Sequence, residues 1–300
     1  DCITVSSVTM ANYFANQGWN DITIAFPLNI LEIDDINEIA KTNKINILVE
    51  STYTTTKLLE EIVSPIGIFI KIDIGYNRTG LLFSDPEIDK IIKTIQGSNN
   101  CSFKGFLTHA GHTYSAKGIT EILQIFEQSK CILNQLKQKY ISNFPKIIIS
   151  YGDTPSCSVA DGFAGLDEIR PGNFAYYDVM QYHIGSCILD DIAVVVGCPV
   201  VAVHNSRKEI VVYGGAVHLS KEFIAADNSF KLYGYVVKFT KNGWTEPIPG
   251  AYVSSLSQEH GIIKIPDSVI DEINPGDIIG ILPIHSCLAA NLLRDSFQII

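Results

Sequence analysis

His285 and Cys287 lie two positions apart in Ile281-Leu282-Pro283-Ile284-His285-Ser286-Cys287. In an extended strand, residues i and i+2 project to the same face. An imidazole and a thiolate side by side supply half of a zinc site, with positions left for water or substrate. Sulfur selects zinc over magnesium or manganese, which prefer oxygen. The same spacing also suits a buried cysteine beside a hydrogen-bonded histidine, so its meaning depends on the rest of the chain.

Four other clusters fall at the ends of predicted strands. Asp73-Ile74-Gly75-Tyr76-Asn77-Arg78-Thr79-Gly80 would place Arg78 at the mouth of a barrel, or simply make a glycine-rich turn with a surface arginine. His109-Ala110-Gly111-His112-Thr113-Tyr114 gathers three polar rings, and Gly111 permits close backbone approach to a ligand. In Tyr151-Gly152-Asp153-Thr154-Pro155-Ser156 the glycine and hydroxyls suit phosphate binding after a late barrel strand. Asp153 is awkward there, because a carboxylate repels phosphate unless it turns away or caps a helix. In Glu168-Ile169-Arg170-Pro171-Gly172-Asn173-Phe174 the backbone from Gly172 could face the same phosphate, while Arg170 could pair with Glu168. Glu259, in Ser257-Gln258-Glu259-His260-Gly261, reads either as support for a metal or as a solvated turn.

The elements that must position these residues alternate. Apolar β-branched runs at 3–6, 21–26, 45–50, 66–74, 103–109, 146–151 and 168–177 read as strands, separated by amphipathic segments at 9–17, 33–42, 54–63, 86–96 and 118–139. Such alternation builds a parallel sheet, and strands this continuously apolar are covered on both faces. No Gly-x-Gly-x-x-Gly follows an early strand, which disfavours a dinucleotide-binding sheet. Seven strands and an abrupt entry into the first suggest a (β/α)8 TIM-type barrel whose first βα unit lies upstream of Asp1. After about residue 182 the pattern changes to short β segments at 191–196, 200–205, 209–213, 231–241, 261–265 and 277–282. The expected organisation is therefore a barrel over 1–182 and a mainly antiparallel β domain over 183–300 that carries the metal ligands.

Composition bounds the function. The 300 residues are 46% hydrophobic and 18% charged, which suits a well-packed enzyme. A net charge of −10, with no cluster of Lys and Arg, argues against nucleic acid as a partner. The seven cysteines are scattered without a Cys-x-x-Cys pair, so a reducing, cytoplasmic setting is expected. The longest apolar run, residues 192–203, is interrupted by Gly197 and Pro199 and falls short of the roughly 18 residues that span a bilayer, so no membrane partner is expected.

Taken in order, Asp73-x-Gly75-x-x-Arg78-Thr79-Gly80, Gly111-His112-x-Tyr114, Gly152-x-Thr154-Pro155, Arg170-Pro171-Gly172-Asn173, Glu259-His260-Gly261 and Pro283-x-His285-x-Cys287 resemble the D-serine dehydratase and D-threonine aldolase group. These are fold-type III pyridoxal-phosphate enzymes related to alanine racemase. The resemblance implies pyridoxal 5'-phosphate and zinc as cofactors, a D-amino acid as substrate and a homodimer. It implies that Arg78 contacts the ring-hydroxyl side of the cofactor and Tyr114 the pyridine nitrogen. Gly152, Thr154, Gly172 and Asn173 would cradle the phosphate, with Asp153 departing from the small residue expected there. His285 and Cys287 would hold zinc, and His112 is the candidate catalytic side chain among the residues present. The group's Schiff-base lysine belongs to the first barrel strand, and so is expected upstream of Asp1. No later lysine, Lys71 included, is an evident replacement. The implied reaction is dehydration of D-serine or D-threonine to a 2-oxo acid and ammonia. The alternatives are a metal-dependent retro-aldol cleavage to glycine and an aldehyde, an amino-acid racemase, and a non-catalytic cofactor-binding pseudoenzyme.

Overall fold

The computed structural model describes residues 2–226 and 230–300. The chain divides into two compact units, Asp1–Ala116 with Thr120–Pro171, and Lys117–Ile119 with Gly172–Ile300. The upstream position expected for the Schiff-base lysine lies outside the described residues.

The first unit is a parallel sheet with its strands in chain order: β1 (Cys2–Val5), β2 (Asp21–Pro27), β3 (Lys44–Val49), β4 (Ile66–Ile72), β5 (Cys101–Thr108), β6 (Ile148–Tyr151) and β7 (Glu168–Ile169). Connecting helices are α1 (Val8–Asn16), α2 (Ile33–Ala40), α3 (Thr52–Glu61), α4 (Glu87–Gln96) and α5 (Ile119–Tyr140), with the short α6 (Thr154–Val159) after β6. This is the expected barrel-type βα architecture. The helices start where the sequence offers caps: the Ser7 and Ser51 hydroxyls accept the Met10 and Thr54 N–H groups. The buried stripe of α4, Ile88, Ile91, Ile92 and Ile95, follows the helical period.

Strand alternation divides the core. Ile66, Ile68, Ile70 and Ile72 of β4 join the large cluster that includes the helix stripes, whereas Phe69 joins Leu48, Leu107, Ala25 and Ile148 on the opposite, inner face. Register shifts by one residue between Ile68 and Phe69 opposite β5. Gly105 takes up the irregularity at φ +149, where a Cβ would stand 1.9 Å from the Ile148 carbonyl oxygen. β7 is shorter than predicted because Pro171 removes a ladder donor just beyond it, and the chain continues as the single 3-10 turn Asn173–Ala175.

The second unit is built on a closed antiparallel barrel. Its strands run Gly234–Val237, Tyr252–Leu256, His260–Lys264, Glu209–Tyr213, Val196–His204 and Ile278–Pro283 around the ring. Val200, Ile210, Val212, Val236, Val253, Ile263, Ile279 and Ile281 fill it. Of the predicted strand at 191–196 only Val196 is in a strand, as the first residue of Val196–His204. The 3-10 turn Leu189–Asp191 occupies its start, fixed by the Ile188 N–H donating to the Asp191 carboxylate at 2.9 Å. Tyr252–Leu256 was not foreseen, because its two serines blur the apolar alternation.

Candidate active site

In the first unit, the polar residues singled out in the sequence lie at the C-terminal ends of the strands or in the segments that follow them. Asp73 organises the segment after β4: its Oδ1 accepts the N–H groups of Gly75 (2.9 Å) and Asn77 (3.1 Å). The loop then returns to its own strand, with Leu81 N–H donating to Lys71 O at 3.0 Å and Glu50 Oε2 accepting the Gly80 N–H at 2.6 Å. Gly80 is required here, since it sits at φ +110 and a Cβ would lie 2.6 Å from Asp73 N. The exposed Arg78 stands with its guanidinium carbon 5.0 Å from the centroid of the Tyr76 ring, a cation–π contact.

Tyr76 is also the centre of a ring cluster. It meets His109 edge-on at 5.9 Å and stacks with His112 at 6.2 Å, and His109 lies 6.3 Å from Tyr114. The space that Gly111 leaves is taken by this tyrosine, because a Cβ there would be 2.3 Å from the Tyr76 ring. His109 Nδ1 lies 2.8 Å from the Gly152 carbonyl, which can only accept, so Nδ1 carries the proton and Nε2 remains an acceptor. Burial, then Arg78 and Lys71, push the His109 pKa down to about 4, so the ring is neutral at physiological pH. His112 is held low by burial, with Asp153 and Asp73 opposing, and its Nδ1 is buried without a hydrogen-bond partner.

Arg170 is not chiefly an ion-pair partner. Its Nε donates to Ser150 Oγ at 2.9 Å and its Nη2 donates to the Thr108 carbonyl, tying the ends of β5, β6 and β7 together. Burial lowers its pKa only to about 10, so it stays cationic. Asp153 caps α6: its Oδ1 accepts the Ser156 N–H at 2.6 Å and the Thr113 hydroxyl at 3.1 Å. Burial raises its carboxyl pKa, and Oδ2 has no hydrogen-bond partner. Thr154, fully buried, donates its N–H to Tyr114 Oη at 3.4 Å. Lys71, which the sequence reading weighed as a Schiff-base replacement and set aside, lies on the inner face two residues beyond Phe69. It is 5% exposed, and its ammonium makes no hydrogen bond or ion pair with any described residue. Burial, then Arg170 and Arg78, push its pKa down to about 7 against the weaker pull of Asp73 and Glu50. A lysine without partners inside a run of isoleucines was the available signal.

In the second unit, Asp178 caps the helix Val179–His183 by accepting the Gln181 N–H at 2.9 Å. Its other oxygen accepts the Asn173 side-chain N–H at 2.5 Å and the Ser286 backbone N–H at 3.2 Å. The Cys287 thiol donates to Asn173 Oδ1 at 3.3 Å, and His285 acts electrostatically on Asp178. His285 and Cys287 are thus assembled around one buried Asn–Asp pair, though not as strand geometry predicted. The strand stops at Pro283, His285 is the extended N-cap residue (φ −134, ψ 96), and Cys287 lies in the helix Ser286–Leu292. Burial, then Asp178, push the Cys287 thiol up to about 11, so a cation must displace its proton before it can ligate. Asn173 therefore has partners besides any phosphate, while nothing lies within 4 Å of where a Gly172 Cβ would be. Glu259 holds the Gln258 amide at 2.7 Å in a turn.

Two cofactors can be weighed against these residues. The two guanidinium groups of Arg78 and Arg170 and a neutral imidazole at the strand ends suit a polyanionic aromatic molecule, and the first unit fits pyridoxal phosphate on that ground. For a metal, the described residues contain no group of three or more His, Cys, Asp or Glu side chains. The pair of one sulfur and one nitrogen fits zinc by donor chemistry, with its remaining positions left to ligands that are not protein.

Comparison with known proteins agrees with this architecture. Residues 1–179 match the alanine racemase N-terminal domain family, and residues 193–299 match the putative serine dehydratase domain family. D-serine dehydratase of Dictyostelium discoideum is 27% identical over 98% of this chain and 78% of its own length. D-serine dehydratase of Schizosaccharomyces pombe is 28% identical over 78% of this chain, and the match spans 58% of the yeast protein. The solved structure of D-threo-3-hydroxyaspartate dehydratase from Delftia sp. HT23 superimposes with a TM-score of 0.87 at 24% identity, covering 97% of this chain and 78% of that one. With residues 1–179 matched in this way, the chain belongs to the alanine racemase N-terminal domain family, and its likeness to named D-serine dehydratases along both units makes it a pyridoxal-phosphate-dependent lyase.

Proposed function

We propose that this chain is a pyridoxal-phosphate- and zinc-dependent dehydratase of D-3-hydroxy amino acids, converting D-serine or D-threonine to a 2-oxo acid and ammonia. The observation that carries the reading is the bonding of Cys287 and the Ser286 N–H to the Asn173–Asp178 pair, with His285 acting electrostatically on Asp178. A metal-free form of a cysteine variant is known for the related D-threo-3-hydroxyaspartate dehydratase, which supports a metal role for the thiol.

On this reading Arg78 and Tyr114 hold the cofactor ring, while Gly152, Thr154 and Gly172 face its phosphate. Bound pyridoxal phosphate would supply an electron sink for removal of the Cα proton. Bound zinc would supply a Lewis acid for the β-hydroxyl. Neutral His109 offers Nε2 as an acceptor, fixed in direction by the Gly152 carbonyl on its other nitrogen. His112, with an open Nδ1, is the side chain placed to hold or pass a proton. Asp178 orients the turn that presents His285 and Cys287 by accepting the N–H between them.

The test is metal analysis of the wild type and Cys287→Ala, together with products from D-threonine. Stoichiometric zinc in the wild type and its loss in the variant are expected, with 2-oxobutyrate and ammonia as products. Equal zinc in both would remove the metal assignment. Glycine with acetaldehyde would move the chain to the aldolase reading.

A further inference from the structure

Asp153 carries one oxygen more than its place in the fold requires. Oδ1 is the structural oxygen, accepting the Ser156 N–H at 2.6 Å and the Thr113 hydroxyl at 3.1 Å. A serine would cap the same turn with a single oxygen, and a small residue is what the family resemblance implies at this position. Oδ2 is left over, in a side chain 1% exposed, with no hydrogen-bond partner. The surrounding groups do not neutralise it. On its own segment, burial raises the pKa values of the Tyr151 hydroxyl and the Cys157 thiol, so both stay uncharged. His112, in the turn after β5, is held low by burial. Arg170, after β7, acts on Asp153 electrostatically, while its Nε and Nη2 donate to Ser150 and to the Thr108 carbonyl. A buried acceptor without a donor is completed by a proton, or by a ligand that brings one. This acceptor stands in Gly152-Asp153-Thr154, the segment read as facing the cofactor phosphate. Two acidic groups sharing a buried site do not both ionise; one proton stays between them.

We propose that Asp153 makes cofactor binding proton-linked, one proton being held between its Oδ2 and an oxygen of the phosphate monoester. This rests on the cofactor reading above. The proton balance follows from the free partners. A phosphate monoester has its second pKa at about 6, so it is mostly dianionic above neutral pH. Where Asp153 is also ionised, the shared proton comes from solvent, and the complex carries one proton more than the separated molecules. No covalent bond forms or breaks. Residue 153 thereby sets which ionisation state of the ligand the first unit accepts: a serine there leaves the dianion acceptable, whereas this carboxylate admits it only together with a proton.

The experiment is calorimetric titration of the intact chain with pyridoxine 5'-phosphate, which has no aldehyde and so no chemistry with lysines. Each pH from 6 to 9 is measured in two buffers of different ionisation enthalpy, which gives the number of protons taken up. The wild type should take up about one proton at pH 9, its affinity falling roughly tenfold per pH unit at the alkaline end. Asp153→Asn keeps an oxygen for the Ser156 cap and places an amide donor where Oδ2 was. It should take up almost no proton and bind more tightly than the wild type at pH 9. Asp153→Ser, which removes the extra oxygen altogether, should do the same. The bound phosphorus resonance should also differ between the wild type and Asp153→Asn, because only the former shares its proton with the ester. Equal proton uptake in all three proteins, weaker binding by both variants at pH 9, or an identical phosphorus resonance overturns the proposal and leaves the cofactor reading standing. No binding by any of the three proteins at any pH removes the cofactor reading and this inference with it.

Discussion

Replacing Lys71 by methionine should stabilise the first unit, and the gain should depend on pH in a calculable way. The pKa of Lys71 falls from 10.5 to about 7 on folding. Between those values the unfolded chain carries a proton that the folded chain has released, so stability rises with pH across that window. The linkage relation puts the cost of keeping this lysine at about 4 kcal/mol at pH 7 and about 2 kcal/mol at pH 9. Methionine preserves most of the packed stem and removes the titration. The variant should therefore unfold with a free energy higher than the wild type by up to about 4 kcal/mol at pH 7, the gap closing towards pH 10.5. Trp19 in the first unit reports its unfolding, and a Trp244→Phe background removes the fluorescence of the second unit. Urea unfolding of both proteins without cofactor, from pH 7 to pH 10, gives the comparison. A variant less stable than the wild type at pH 7, or a gap that does not change with pH, would refute the reasoning.

Other perturbations test the two units separately. Asp178→Ala strands the Asn173, Gln181 and Ser286 donors and should cost the second unit about 3 kcal/mol in urea unfolding, at about 1 kcal/mol per lost acceptor. The same variant should weaken zinc binding in chelator competition even where it is folded. Asp153 has its carboxyl pKa raised by burial, so the stability it contributes is present below the ordinary value of 3.8 and is lost as pH rises through the raised one. Asp153→Asn should flatten that slope while keeping the Ser156 cap. Gly80→Ala combines a positive φ with a backbone clash and should cost at least about 2 kcal/mol, with loss of cofactor affinity as the Arg78 loop is displaced.

Much of this architecture was readable because the physics behind it is local. Parallel strands covered on both faces are apolar along most of their length, so β3 and β4 stood out as runs of Ile, Leu, Val and Phe, broken only by Lys44, Asn46, Gly67 and Lys71. The second unit was harder, since short antiparallel strands depend on partners far along the chain. The segment 191–196 carries strand-like side chains, yet its first residue closes the 3-10 turn Leu189–Asp191, where the Asp191 carboxylate captures the Ile188 N–H, and only Val196 joins a strand. Motif spacing located His285 and Cys287 but gave the wrong local geometry, because Pro283 ends the strand two residues too early for an i, i+2 argument. What spacing could not show at all is the burial of Asp178 and Lys71. Lys71 is visible beside Asp73 as a lysine in an apolar run, but both it and Asp178 owe their chemistry to groups brought close only by tertiary folding.

The bond from Ser286 to Asp178 joins segments 108 residues apart, and that from Cys287 to Asn173 spans 114. The short stretch around Cys287 is therefore not a self-sufficient metal-binding peptide. Its arrangement requires the segments flanking the antiparallel barrel to meet, because all six barrel strands lie between Asp178 and Ser286 in the chain. On the proposed zinc reading, metal supplied during synthesis would meet an unfinished ligand pair, and the completed chain would load it afterwards. In amide exchange, the Ser286 and Gln181 protons should become protected together, at the moment when that carboxylate draws the distant strands of chain to itself.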